Sequence, residues 1–206
     1  MIDITKLVDH QVISKIIEMD GSTVLNSQRE DQGSGIDPKN TDEPTFSVVP
    51  NCEFHNGIIE VKVLSKFLAD APALARGFIG IAFRISDDFS KYESIYIRPD
   101  NGSCDDQIRR NHSIQYYAYP HHKWFVLRED EPKKYETYTD MSMNEWIDLK
   151  IVVEDERAEL YINGALRPNL IVKDMKHGRN LKGSIALWTE IGTEAYFKDL
   201  NIITKD

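Results

Sequence analysis

The sequence is poor in several features that mark specialised protein classes. Only two of its 206 residues are cysteine, Cys52 and Cys104, far apart and without C-x-x-C spacing. That argues against a disulfide framework or a thiolate zinc site and predicts two free thiols. No apolar run approaches the roughly 18 residues of a membrane span. The first residues, MIDITKLVDH, lack a basic segment followed by an apolar one. The expectation is a cytoplasmic protein with no membrane partner. Positive charge is in deficit, with 25 Lys and Arg against 34 Asp and Glu, for a formal net charge of -9. A nucleic-acid partner is therefore not expected, because phosphate recognition wants a positive surface. Helical periodicity is almost absent, and so are internal repeats, low-complexity tracts and linkers. Residues 1–206 accordingly read as a single domain.

What the sequence does have is period-2 alternation. Residues 78–85 (FIGIAFRI) place Ile79, Ile81, Phe83 and Ile85 on one face and Phe78, Gly80, Ala82 and Arg84 on the other. Residues 58–66, 146–154, 158–162, 184–190 and 195–203 alternate in the same way. Asp20-Gly21 and Asn163-Gly164 are hairpin signals. Residues 28–44 are polar and rich in Gly, Asp and Asn, and read as a long loop. About a dozen short strands predict an all-β fold, an antiparallel two-sheet β-sandwich.

The stretch most suggestive of a site is residues 92–125, YESIYIRPDNGSCDDQIRRNHSIQYYAYPHHKWF. Its first strand turns Tyr92, Ser94, Tyr96 and Arg98 to one face and Glu93, Ile95 and Ile97 to the core. Pro99 ends the strand. A loop rich in Asp, Arg, Asn and His follows, and then an aromatic run containing Tyr116 and Trp124. Arginine offers a planar fork of donors, and aromatic rings pack against the C–H faces of sugars.

Taken in order, FIGIAFRI, YESIYIRPDNG, DDQIRRNHSIQY, the Asn-Gly segment ELYINGALRP and GSIALWTEIGTEAYFKDLNI resemble the concanavalin A-like (laminin-G-like) jelly-roll domains. Within that group they are most similar to the bacterial 3-keto-disaccharide hydrolase family, formerly a domain of unknown function. The resemblance covers about residues 46–203. It implies two curved sheets with a ligand on the concave one. Carried onto this chain, that surface would hold Arg84, Tyr96, Arg98, Trp188 and Glu190. The E-x-D-x-x-E signature of laminarinase-type glycosidases is missing, which counts against double-displacement chemistry.

The leading expectation is a carbohydrate-binding jelly-roll domain. Its substrate-binding candidates are Arg84, Tyr96, Arg98, Arg109, Arg110, Asn111, Tyr116, Trp124 and Trp188. The partner expected is a carbohydrate or another polar small molecule. The alternative is a glycoside hydrolase or lyase acting on 3-keto sugars, in which a keto group acidifies the neighbouring C–H. His112 or Glu190 would then be the base, with an arginine stabilising the oxyanion. No cofactor is expected. Asp100, Asn101, Asp105 and Asp106 offer oxygens to calcium but lack the D-x-[DN]-x-[DN]-G spacing. A bland reading competes at each position: ion pairs that hold a loop, core aromatics, solvated histidines.

Overall fold

The computed structural model describes residues 1–32 and 37–205. Its strands, in chain order, are β1 (Val8–His10), β2 (Val12–Met19), β3 (Ser22–Arg29), β4 (Phe46–Val48), β5 (Asn56–Phe67), β6 (Ile79–Ile85) and β7 (Tyr92–Ile97). Two short helices, α1 (Pro99–Gly102) and α2 (Gln107–Arg110), precede β8 (Ile114–Tyr119), and α3 (Trp124–Asp130) follows it. The remaining strands are β9 (Glu136–Thr137), β10 (Ile147–Glu154), β11 (Arg157–Ile162), β12 (Leu170–Val172), β13 (Ser184–Thr189) and β14 (Thr193–Lys205). They form two antiparallel sheets, β1-β4-β13-β6-β7-β8-β9 and β12-β11-β10-β5-β14-β3-β2. The chain is the all-β sandwich that the alternation predicts. No helix among the described residues is long and apolar enough to cross a membrane.

The core is built from the apolar sets read in the sequence. Ile79, Ile81, Ile95 and Leu187 of the first sheet meet Ile59, Val63, Leu149, Ile151 and Phe197 of the second, all buried. The Asp20-Gly21 turn behaves as expected: Met19 pairs with Ser22, and both turn residues have positive φ. Asn163 and Gly164 also have positive φ, but the next strand begins only at Leu170. They open a longer loop rather than a two-residue hairpin. The expected loop at 28–44 is shortened, because β3 runs on through Arg29; residues 33–36 lie outside those described.

The outward face of the first sheet differs from the open surface expected. Gly80 pairs with Trp188 on one side and Tyr96 on the other. A Cβ there would lie 2.5 Å from the Cβ of Tyr96. With no side chain between them, the two rings meet across the strand with centroids 4.8 Å apart. Tyr117 packs against both, and Tyr92 packs against Tyr117 and Phe46. All five rings are buried. The small residues of β6 do leave room above the sheet, and the protein's own aromatics fill it.

Two segments cover this aromatic layer. Trp188 Nε1 donates to Glu43 O at 2.8 Å. Trp124 N, at the start of α3, donates to Asp42 Oδ2 at 2.7 Å, and Trp124 Nε1 to Thr41 Oγ1 at 2.8 Å. The strap formed by residues 41–43 and helix α3 thus hold each other over the sheet.

An arginine-lined cleft as the candidate functional site

The β7–β8 connection makes an excursion that the sequence encodes locally. Pro99 opens α1 directly after the strand, where its missing N–H costs nothing. Asp106 caps α2, with Oδ1 accepting from Ile108 N at 2.9 Å and Arg109 N at 3.1 Å. The chain returns at Ser113, whose carbonyl accepts Arg98 N at 2.7 Å. His112 O is held by Arg98 Nη1 at 2.9 Å and Asn101 Nδ2 at 3.2 Å. Arg109 bonds Asn101 Oδ1 through Nε at 3.1 Å and pairs with Asp100.

Between this excursion, the β5–β6 connection and α3 lies a cavity of about 300 Å³. Leu74, Phe78, Ile108 and Trp124 give it apolar wall. Arg76, Arg98, Arg109, Arg128 and His112 give it polar wall, and Thr41 of the strap also lines it. Its size is at the low end of ligand pockets.

Charge is distributed unevenly in the cleft. Arg128 donates to Glu136 Oε2 from Nε at 3.1 Å and Nη2 at 2.7 Å, and stacks on Trp124 with a centroid distance of 4.6 Å. His112 Nδ1 lies 2.7 Å from the same Glu136 oxygen. Burial alone would raise the Glu136 carboxyl; hydrogen bonds from His112 and Arg128 reverse this and hold it below the ordinary value. Arg98 is buried, bonds only neutral acceptors, and has no carboxylate within ion-pair distance among the described residues. Arg76 donates to the carbonyls of Ala73 and Ala75 at 2.7 and 2.6 Å. Burial, and then the positive charge of Arg109, push its pKa down. Of the four guanidiniums, Arg109 and Arg128 pair directly with Asp100 and Glu136, while Arg98 feels the buried Asp42 only at longer range.

Of the residues singled out in the sequence, the structure brings Arg98, Arg109, His112 and Trp124 to this cleft. Tyr96 lies beneath it, buried, its hydroxyl accepting from Arg98 Nη2 at 2.6 Å. The others are elsewhere. Arg84 was expected to share a face with Arg98, but its backbone sits at φ 54° beside a register shift, which breaks the alternation. Its side chain instead crosses to the second sheet, bonding His55 O, Asn56 Oδ1, Asp155 O and Gly178 O. Tyr116 faces inward and donates to Glu93 Oε2 at 2.6 Å. Trp188 is sealed under the strap. Glu190 is fully buried, paired with Arg29 and accepting from Ile191 N and Glu43 N. His112 and Glu190, the two candidate bases, thus occupy separate sites. Arg110 is half-buried and stacks on Tyr138, and Asn111 Oδ1 accepts from Gln107 Nε2 at 2.8 Å.

Three of the four residues considered for calcium are used otherwise. Asp100 pairs with Arg109, Asn101 bridges Arg109 and His112, and Asp106 caps α2. Among the described residues, no group of three His, Cys, Asp or Glu is placed to hold a metal ion. Cys52 and Cys104 are free thiols.

Sequence reasoning missed Arg76, Arg128 and Glu136. Trp124 and Arg128 stand four residues apart, a spacing that makes them neighbours only on a helix. WFVLRED was that signal. Arg76 had none, because its role depends on where the β5–β6 connection comes to lie.

The sequence matches no protein-family model and no curated protein. Solved structures do match the fold. A Bacillus subtilis protein of unknown function with a galectin-like fold superposes with a TM-score of 0.57 at 13% identity, over 98% of this chain and 92% of that one. The carbohydrate-binding module CBM66 of Bacillus subtilis gives 0.52 at 12% identity, over 93% and 94%. A candidate glycosyl hydrolase from Parabacteroides distasonis gives 0.51 at 13% identity, over 93% and 83%. The likeness is one of fold. The narrower resemblance to the 3-keto-disaccharide hydrolases finds no support from a family model.

Proposed function

We propose that the protein is a carbohydrate-binding jelly-roll domain and that its sugar site is the arginine-lined cleft beside the first sheet, not the sheet face itself. One observation carries this reading. The aromatic face of the sheet is buried under the strap and α3, whereas the cleft keeps a tryptophan wall and guanidinium donors open to a ligand. A ring packs against the C–H face of a sugar and arginines read its oxygens. One structure of similar fold is a carbohydrate-binding module, which agrees with this choice. Calorimetric titration of a glycan panel against wild type and Trp124→Ala tests it. A bound glycan that loses about tenfold or more in affinity in the folded variant supports the site; equal affinities place binding elsewhere.

One observation favours the enzymatic reading as a second possibility. The contact between His112 Nδ1 and Glu136 Oε2 resembles a carboxylate-oriented histidine base, and guanidiniums surround it. Under that reading a keto-glycoside is turned over and His112→Gln abolishes turnover while leaving binding. Absence of turnover by wild type across a keto-glycoside panel removes it.

A further inference from the structure

The charge of the cleft narrows the ligand beyond the class of sugars. The whole chain is acidic, with a formal net charge of -9. Against that background four arginines line one small cavity; Asp100 and Glu136 pair with Arg109 and Arg128, and the buried Asp42 acts on Arg98 only beyond ion-pair distance. An arginine has five N–H donors. Arg76 uses only Nη1, on two carbonyls of its own loop. Arg98 spends donors on His112 O, Tyr96 Oη and Gln115 Oε1, none of them charged. A neutral sugar would leave these like charges crowded in a partly dry site, whereas an oxyanion would relieve the crowding and accept paired N–H donors. The lowered pKa of Arg76, caused by burial and then by repulsion from Arg109 and Arg98 despite the nearby Asp100, agrees with an excess of positive charge.

We propose that the cleft selects carbohydrates carrying an oxyanion, a carboxylate or a sulfate, and that Arg76 and Arg98 are the groups that meet it. The proposal rests on the reading of the cleft as a sugar site. Trp124 and Phe78 take the sugar ring while the guanidiniums take the anion. Arg109 and Arg128 stay tied to Asp100 and Glu136 and hold the walls in shape.

The experiment is a calorimetric titration of uronate-bearing glycans, sulfated glycans, their neutral counterparts and inorganic sulfate, against wild type and Arg76→Gln. The expected result is that an acidic glycan binds wild type about tenfold or more tighter than its neutral counterpart, and that Arg76→Gln removes most of this preference. The uronate and sulfate arms tell the two anions apart. Arg76→Lys serves as a second variant if the glutamine variant does not fold; it keeps the charge but loses the planar fork, and a weakened preference is again expected. Neutral glycans that bind as tightly as acidic ones overturn the selectivity and leave the sugar site standing. Inorganic sulfate that binds as tightly as the best glycan, or no glycan binding at all, overturns the sugar site and the selectivity together. An unchanged preference in a folded Arg76 variant overturns the role given to Arg76.

Discussion

Arg98 stands over the ring of Tyr96, its guanidinium carbon 4.9 Å from the ring centroid, and donates to the same tyrosine's hydroxyl at 2.6 Å. The two residues share a face of the strand and its end, as the alternation requires. The arginine caps the tyrosine instead of standing beside it. The sheet face is thereby closed at its β7 end, and Arg98 becomes the floor of the cleft next to it.

Trp188 supports the fold and does not touch a ligand in this account. Its indole is fully buried among Tyr96, Tyr117 and the strap. Trp188→Ala should cost about 3–5 kcal/mol of stability, the usual range for a large aromatic lost from a core. Urea denaturation measures it. A variant with wild-type stability and abolished glycan binding contradicts the assignment.

Arg84 fastens the first sheet to the second. It donates to three backbone carbonyls and to Asn56 Oδ1, all belonging to segments outside its own sheet. Arg84→Met removes this donor from the three carbonyls, Asn56 Oδ1 keeping its bond from Asp155 N, and should cost about 3 kcal/mol, since each buried unsatisfied group costs about 1–3 kcal/mol. Glycan affinity of the remaining folded protein should be unchanged. A large loss of affinity at wild-type stability would return Arg84 to the ligand site.

Asp42 gives the protein a pH dependence of defined sign. Burial raises its carboxyl to about 7, against the hydrogen bond from Trp124 N and the charge of Arg98, with Glu190 adding to the rise. An acid raised in the folded state binds its proton more tightly there than in the unfolded chain. Its ionisation therefore removes stability as pH climbs from about 4 to about 7, and the loss is complete above that window. Asp42→Asn should gain stability relative to wild type across this window. Urea midpoints of both proteins at pH 5 and pH 8 measure it; an offset that is the same at both values contradicts the shift. Glu93, also raised to about 7 by burial, acts in the same sense in both proteins and cancels from the comparison.

The sheets were legible in the sequence because burial on one face writes an alternation directly into the residue pattern. Residues 147–154 show this in the correct phase; residues 79–83 and 92–97 carry the same pattern although both of their faces are buried. Exposure of the opposite face was not legible. Alternation says that Tyr96 and Trp188 point away from the core, but whether solvent or another segment meets them depends on the strap, some eighty residues away from α3 in sequence. Arg84 escaped the pattern because a single left-handed residue at a bulge redirects its side chain. The cleft was half legible. Arg98, Arg109 and His112 lie in one sequence stretch, whereas Arg76 joins them only through the tertiary fold.

The most direct test of the central claim is the structure of the protein crystallised with the glycan that the panel selects. The account predicts the sugar between Trp124 and Phe78, its polar groups within hydrogen-bond reach of Arg76 and Arg98, with the strap and α3 still covering Trp188. A glycan seated instead on the face of β13 against an uncovered Trp188, or on the outer face of the second sheet, contradicts it.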